Sequence, residues 1–187
     1  MLVWALVHPS SDPALDWWNR EVPAHTPGNR ALRDQGVRLQ KWLSKALGIK
    51  ARPLPYHVEN GGVFLKDAAV LAGLGTIGRH NLLITPEFGT RVRLRAMFLD
   101  TDLRPTGPLA EFDPCAGCGT PCHRACPVDA FVDGVYTRKR CGLEMERAEA
   151  APEIVDGTVM GIDEAAATVK YCRRCELACP VAASKGR

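Results

Sequence analysis

The chain has 187 residues, 46% of them apolar, and a formal net charge of +3. The apolar fraction is enough for a hydrophobic core in one or two small domains. The sequence holds no run of eighteen apolar residues, which excludes an ordinary membrane-spanning helix. The mild charge does not argue for a nucleic-acid partner.

The first elements in chain order are a strand and a long helix. Residues 2–7 form a short apolar run and predict a buried strand. Asn29 is a candidate N-cap for a helix that runs to Leu47 and is stopped by Gly48. The apolar face of this helix is predicted to consist of Leu32, Leu39, Leu43 and Leu47.

Three further elements are predicted before the cysteines. A strand at 51–57 contains two prolines, which confine it to a sheet edge or break it. A second helix is predicted over 63–71, and residues 91–100 alternate as a half-buried strand. In that strand Val92, Leu94, Ala96 and Phe98 are expected to face the core, and the opposite, solvated face is expected to carry Arg91, Arg93 and Arg95.

All eight cysteines lie in the last 73 residues: seven form two runs that each end in Cys-x-x-x-Cys-Pro, and Cys141 stands alone between the runs. This ending is typical of bacterial proteins with two [4Fe–4S] clusters, and eight thiolates match two clusters of four ligands each. The sequence therefore predicts an electron-transfer module. Its metal ligands are Cys115, Cys118, Cys122, Cys126, Cys141, Cys172, Cys175 and Cys179.

The division of the ligands follows the rule that the Cys-Pro cysteine of one run binds the other cluster. One cluster then takes Cys115, Cys118 and Cys122 together with Cys179. The other takes Cys126, Cys141, Cys172 and Cys175. Three residues separate Cys118 from Cys122, one more than in the ferredoxin pattern. Cys141 stands 31 positions before Cys172, and the segment between them predicts an inserted helical hairpin.

Disulfides and zinc are the alternative uses of these cysteines. Disulfides need an oxidising compartment, and the N-terminus has neither a signal-peptide nor a twin-arginine pattern. The expected location is therefore the cytoplasm. Two zinc sites of four cysteines remain an alternative, although zinc ribbons do not need the Cys-x-x-x-Cys-Pro ending.

Residues 73–78 read Gly-Leu-Gly-Thr-Ile-Gly, a formal dinucleotide-binding pattern. That function needs a preceding strand, whereas residues 65–72 are better predicted as a helix. Dinucleotide binding is therefore disfavoured, and the glycines need another explanation.

The segments Ala-Gly-Leu-Gly-x-Ile-Gly-Arg at 72–79 and Leu-Ile-Thr-Pro-Glu-Phe-Gly-x-Arg-Val-Arg at 83–93 precede the cysteines. In this order they resemble the epoxyqueuosine reductase and reductive dehalogenase superfamily. The resemblance implies an α+β fold with a nitroreductase-like α/β layer over residues 1–110. A ferredoxin-like two-cluster domain over 111–187 would follow.

The resemblance also implies a corrinoid enzyme, in which two [4Fe–4S] clusters pass electrons to a cobalamin. The residues that would lie against the corrinoid are Gly73, Gly75, Gly78, Arg79 and Asn81. In the reductases an acidic proton donor precedes the helix that leads into the glycine block. Glu59 is the nearest match here and His57 the next, although both could be ordinary loop residues.

Relatives of this type carry further residues ahead of the strand that 2–7 resembles, so the chain is interpreted as N-terminally shortened. A partner chain or a dimer contact would then complete the corrinoid pocket. Other expected partners are a low-potential electron donor and a substrate that is a small molecule or a tRNA. The alternative function is a stand-alone ferredoxin-like electron carrier, or a redox subunit without corrinoid.

Overall fold

The computed structural model describes residues 1–19, 21 and 23–181. Its strands are β1 (Leu2–Val7), β2 (Trp17–Trp18), β3 (Ala51–Pro53), β4 (Thr76–Ile77), β5 (Leu83–Ile84), β6 (Val92–Leu99), β7 (Phe131–Val132), β8 (Val135–Tyr136), β9 (Glu153–Val155) and β10 (Ala166–Lys170). Its helices are α1 (Pro27–Leu47), α2 (Leu65–Leu71), α3 (Pro121–Arg124), α4 (Arg138–Ala150), α5 (Gly157–Met160) and α6 (Arg174–Leu177). The fold is therefore of the α+β class, as the sequence predicts.

A three-stranded antiparallel sheet in the order β1–β6–β3 forms the centre of the first half of the chain. Helix α1 packs on it through Leu43, which lies with Met97 and Leu99 in the buried core. The predicted edge strand is β3, whose Pro53 needs no partner on its outer side. Helix α2 contacts β1 and β6.

Helix α1 begins earlier than the sequence predicts, with Thr26 as N-cap and Pro27 in the first turn. It ends as predicted at Gly48, which adopts a left-handed conformation with φ of 68°. Leu32 and Leu43 are buried, whereas Leu47 is exposed at the end of the helix.

The predicted faces of β6 are wrong in two respects. Phe98 is 53% exposed, and Met97 and Leu99 enter the core in its place. Arg93 and Arg95 alternate with Met97 and so lie on the face covered by α1, where Arg95 donates to Asn29 Oδ1 at 2.6 Å. The arginine row is therefore held by internal hydrogen bonds. The alternating pattern did not show that a helix covers this face.

The second half of the chain carries more strand than predicted. Helix α4 starts the segment between Cys141 and Cys172, but β9, α5 and β10 follow it in place of the second helix of a hairpin. Strand β10 pairs with β9 and with β2, so a sheet joins residues 17–18 to residues 153–170. None of the helices in the described residues has the length and apolarity needed to cross a membrane.

Candidate metal centres and the adjoining cleft

The first thiol group consists of Cys115, Cys118, Cys122 and Cys179. Burial raises the pKa of Cys122, and the neighbouring thiols of Cys179 and Cys115 raise it further. Burial also raises the pKa of Cys179, and its thiol neighbours are Cys115 and Cys118. The buried cysteine of the last run therefore lies among the cysteines of the first run.

The second thiol group consists of Cys126, Cys141, Cys172 and Cys175. Burial raises the pKa of Cys175 to about 12, with further contributions from Cys172, Cys141 and Cys126. Burial and Cys126 likewise raise the pKa of Cys172. The thiols that influence these two residues thus all belong to the second group.

Short elements bring the two runs together. Helix α3 carries Cys122, helix α6 carries Cys175, and the two helices pack against each other. Gly117 and Thr120 have positive φ values of 66° and 49°, which turn the chain tightly between Cys115 and Cys122. The packing of α3 on α6 explains why each thiol group draws on both runs.

Each thiol group is a candidate ligand set for a metal centre. Among the described residues, no three His, Cys, Asp or Glu side chains converge on a site for one ion. Each iron of a [4Fe–4S] cluster takes its own thiolate, so four cluster ligands surround a volume and need not converge on one point.

A buried charge network attaches the last cysteine run to the central sheet. Arg173 donates to Asp16 Oδ1 at 2.5 Å and to the carbonyl oxygen of His8 at 2.9 Å, and it also pairs with Glu176. Arg93 donates to His8 Nδ1 at 3.2 Å, and His8 Nε2 lies 2.9 Å from Asp16 Oδ1 and 3.0 Å from Arg173 Nη1. Sequence reasoning did not predict this network.

A cleft of about 630 Å³ lies between the sheet and the cysteine-bearing segments. Its lining includes His57, Glu59, Lys66, Arg138 and Glu176. The two predicted catalytic residues are therefore on the cleft, with His57 Nδ1 at 3.5 Å from Glu59 Oε1, and both side chains are largely exposed. Glu176 follows Cys175 directly, so one cleft wall adjoins the second thiol group.

The predicted corrinoid-contact residues do not share this cleft. Gly78, Arg79 and Asn81 line a separate hollow of about 420 Å³ against the β7–β8 hairpin. A methyl group added at Gly75 would overlap the carbonyl oxygen of Ile84. A methyl group added at Gly73 would lie 2.6 Å from the carbonyl oxygen of Gly107. These two glycines permit close contacts within the chain itself, and α2 precedes them where a dinucleotide site would need a strand.

Asn81, which follows the glycine segment 73–78, nevertheless contacts the cleft wall through Lys66. The Lys66 ammonium group donates to the carbonyl oxygen of Asn81 at 2.6 Å. Burial lowers the pKa of Lys66, and the nearby charge of Arg138 lowers it further. This partly buried amine in the cleft wall was not singled out from the sequence.

His80 and His123 form a second feature that sequence reasoning did not assign. His80 is 2% exposed, and burial followed by the influence of His123 and Lys66 lowers its pKa to about 4. The His123 ring stacks on Phe131 with the centroids 4.2 Å apart. The Nε2 atoms of both histidines are buried without a hydrogen-bond partner among the described residues.

Comparison with known proteins gives sequence relatives of two kinds. The epoxyqueuosine reductase of Gloeobacter violaceus is 32% identical over 125 residues, covering 66% of this chain and 37% of that protein. The tetrachloroethene reductive dehalogenase of Sulfurospirillum multivorans is 42% identical over 71 residues, covering 37% of this chain and 14% of that protein. No family model matches the sequence.

Solved structures share the fold. Epoxyqueuosine reductase from Bacillus subtilis matches 99% of this chain with a TM-score of 0.66 at 23% identity. An epoxyqueuosine reductase bound to a modified tRNA stem loop matches 99% with a TM-score of 0.67 at 22% identity. A reductive dehalogenase described in terms of B12-dependent dehalogenation matches 95% with a TM-score of 0.59 at 19% identity.

The chain spans less than half the length of each of these proteins, from 14% to 49%. Within that span, the sequence matches include both kinds of reductase, and the fold of nearly the whole chain is shared with both. The chain therefore belongs to the epoxyqueuosine reductase and reductive dehalogenase superfamily.

Proposed function

We propose that this chain is an iron–sulfur redox protein that holds two [4Fe–4S] clusters and delivers electrons to a cobalamin-type corrinoid. The reductase would be of the epoxyqueuosine reductase or reductive dehalogenase type. The observation that carries the proposal is the division of the eight thiols into two sets of four, each drawn from both cysteine runs. Four thiolates ligate one [4Fe–4S] cluster, so each set supplies a complete ligand shell.

The clusters, when bound, supply one-electron transfer at low potential. The chain positions and partly buries the ligands. Burial raises the pKa of Cys122, Cys175 and Cys179, so these thiols are protonated at neutral pH before they bind metal. Cluster assembly must therefore release protons, as metal binding to thiols generally does.

The proposed architecture assigns residues 1–110 to a nitroreductase-like layer and residues 111–187 to a ferredoxin-like module. The β1–β6–β3 sheet with α1 and α2 supports the first assignment, and the packing of α3 on α6 supports the second. The pairing of β2 with β10 ties the two parts together.

We assign the corrinoid to the cleft of about 630 Å³, because the cleft borders both the sheet and the second thiol group. Glu59 is the proposed proton donor and His57 its neighbour on the same wall. The Asn81 carbonyl would hold Lys66 in the cleft wall.

A stand-alone electron carrier is the second candidate function. It is favoured by the packing of Gly73 and Gly75 onto the chain's own backbone, because these positions then offer no open glycine surface to a flat macrocycle. A carrier of this kind would use the two clusters and a low-potential donor but no corrinoid.

An anaerobic absorbance titration with cobalamin distinguishes the two functions. The corrinoid function predicts a saturable shift of the cobalamin bands on binding to the cluster-loaded protein, and a weaker shift for Lys66→Met. An unchanged cobalamin spectrum at saturating protein would leave the carrier function.

Two substrate classes named with solved relatives merit assay, an epoxyqueuosine-modified tRNA and a halogenated hydroxybenzoate. Adding a partner chain in the same assay tests whether it completes the pocket.

A further inference from the structure

His80 is a buried hydrogen-bond donor that lacks an acceptor among the described residues. Its Nδ1 accepts the backbone N–H of Leu82 at 3.2 Å. The neutral ring must therefore carry its proton on Nε2. That Nε2 atom is buried and has no partner, and the residue is 2% exposed.

An unmet donor of this kind needs an explanation. Leaving a buried polar group without a partner costs about 1–3 kcal/mol, and folded proteins rarely do so. The N–H is therefore expected to point to an acceptor that is not one of the protein's own described atoms.

The location of His80 points to that acceptor. The segment 80–91 ends against the last cysteine run, where the Thr90 hydroxyl donates to the carbonyl oxygen of Glu176 at 2.9 Å and the charge of Arg91 opposes the rise in the pKa of Cys179. At the other end of the segment, His123, which follows Cys122 directly, contributes to the lowered pKa of His80. Both ends of the segment thus adjoin the first thiol group.

We propose that His80 donates its Nε2–H to a sulfur atom of the cluster held by the first thiol group, either a sulfide or the Cys122 thiolate. This inference rests on the proposed function, since it needs the cluster. A hydrogen bond to sulfur stabilises the additional negative charge of the reduced cluster. His80 therefore raises the reduction potential of the first cluster, while the second cluster lacks this donor.

The test compares His80→Leu with His80→Gln in the reconstituted full chain. Leucine removes the donor, whereas the glutamine amide nitrogen can take the place of the imidazole Nε2. We expect His80→Leu to disfavour reduction of one cluster about tenfold, which is about 59 mV for a one-electron couple. His80→Gln should restore most of the potential. Redox titration followed by electron paramagnetic resonance measures both clusters separately.

Selective ¹⁵N-histidine labelling provides a direct second measurement. The reduced first cluster should show a histidine nitrogen coupling that is lost in His80→Gln, even if His80→Leu fails to fold. The inference is overturned if that coupling is absent, if neither potential changes in a folded His80→Leu, or if only the second cluster responds. Iron and sulfide analysis separates these results from failure of the proposed function, because the wild-type chain must first hold both clusters.

Discussion

Arg173 donates from Nη1 to Oδ1 of Asp16 at 2.5 Å, and the two residues are 157 positions apart. The Arg173 side chain is 12% exposed. Because Arg173 stands between Cys172 and Cys175, this ion pair connects the second thiol group to the segment that follows β1. The position of this cysteine-bearing loop thus depends on residues near the opposite end of the chain.

Replacing Arg173 by methionine should destabilise the protein by about 3 kcal/mol, because Asp16 and Glu176 would remain partly buried without their partner. Chemical denaturation of the reconstituted protein measures the loss. Arg174→Met is the matched control. The Arg174 side chain is exposed, so its loss should change the stability little. Equal losses in the two variants would contradict a specific role for the network.

Acid should destabilise the protein partly through His8. Burial, with the charges of Arg93 and Arg173, lowers the pKa of His8 to about 4. In the unfolded chain His8 binds a proton near pH 6.5, whereas in the folded chain it does so only near pH 4. The contribution of neutral His8 to the free energy of unfolding is therefore complete above pH 6.5 and is lost as the pH falls toward 4. His8→Gln should reduce the slope of unfolding free energy against pH by up to about 1.4 kcal/mol per unit.

The slope is measured by denaturant titrations between pH 7 and pH 5. His25→Gln serves as the control, because His25 lies outside this network. A His8→Gln slope equal to that of the wild type would show that His8 does not titrate as the structure requires.

Local patterns were enough to predict β1, α1, the edge position of β3 and the end of α2. Each depends on nearby signals, such as the apolar run at 2–7 or the stop at Gly48. The partners of Arg93, His8 and Asp16 could not be predicted, because they depend on contacts between distant segments. Likewise, Phe98 was misplaced because alternation alone does not reveal which face a helix covers.

The glycine block gives a separate prediction about packing. Gly75→Ala should destabilise the protein by about 1–3 kcal/mol, because the added methyl group would overlap the carbonyl oxygen of Ile84. Gly142→Ala is the matched control: it lies in α4 with open space around the new methyl group, and should be neutral or slightly stabilising. Thermal denaturation of both variants checks the difference. Comparable melting temperatures would contradict the close packing at Gly75.

Ligand crossing is tested by two serine substitutions. Cys179→Ser should damage the cluster of the first thiol group, although 57 positions separate it from Cys122. Cys126→Ser should damage the cluster of Cys141, Cys172 and Cys175, although it lies only four positions after Cys122. Electron paramagnetic resonance of the reduced variants identifies the altered cluster. The opposite pattern would require each run to bind its own cluster.

Metal and sulfide content after anaerobic reconstitution tests the central claim most directly. The two thiol groups predict about eight iron and eight sulfide per chain, with the brown colour of [4Fe–4S] clusters. About two zinc ions per chain, without sulfide or colour, would contradict the account.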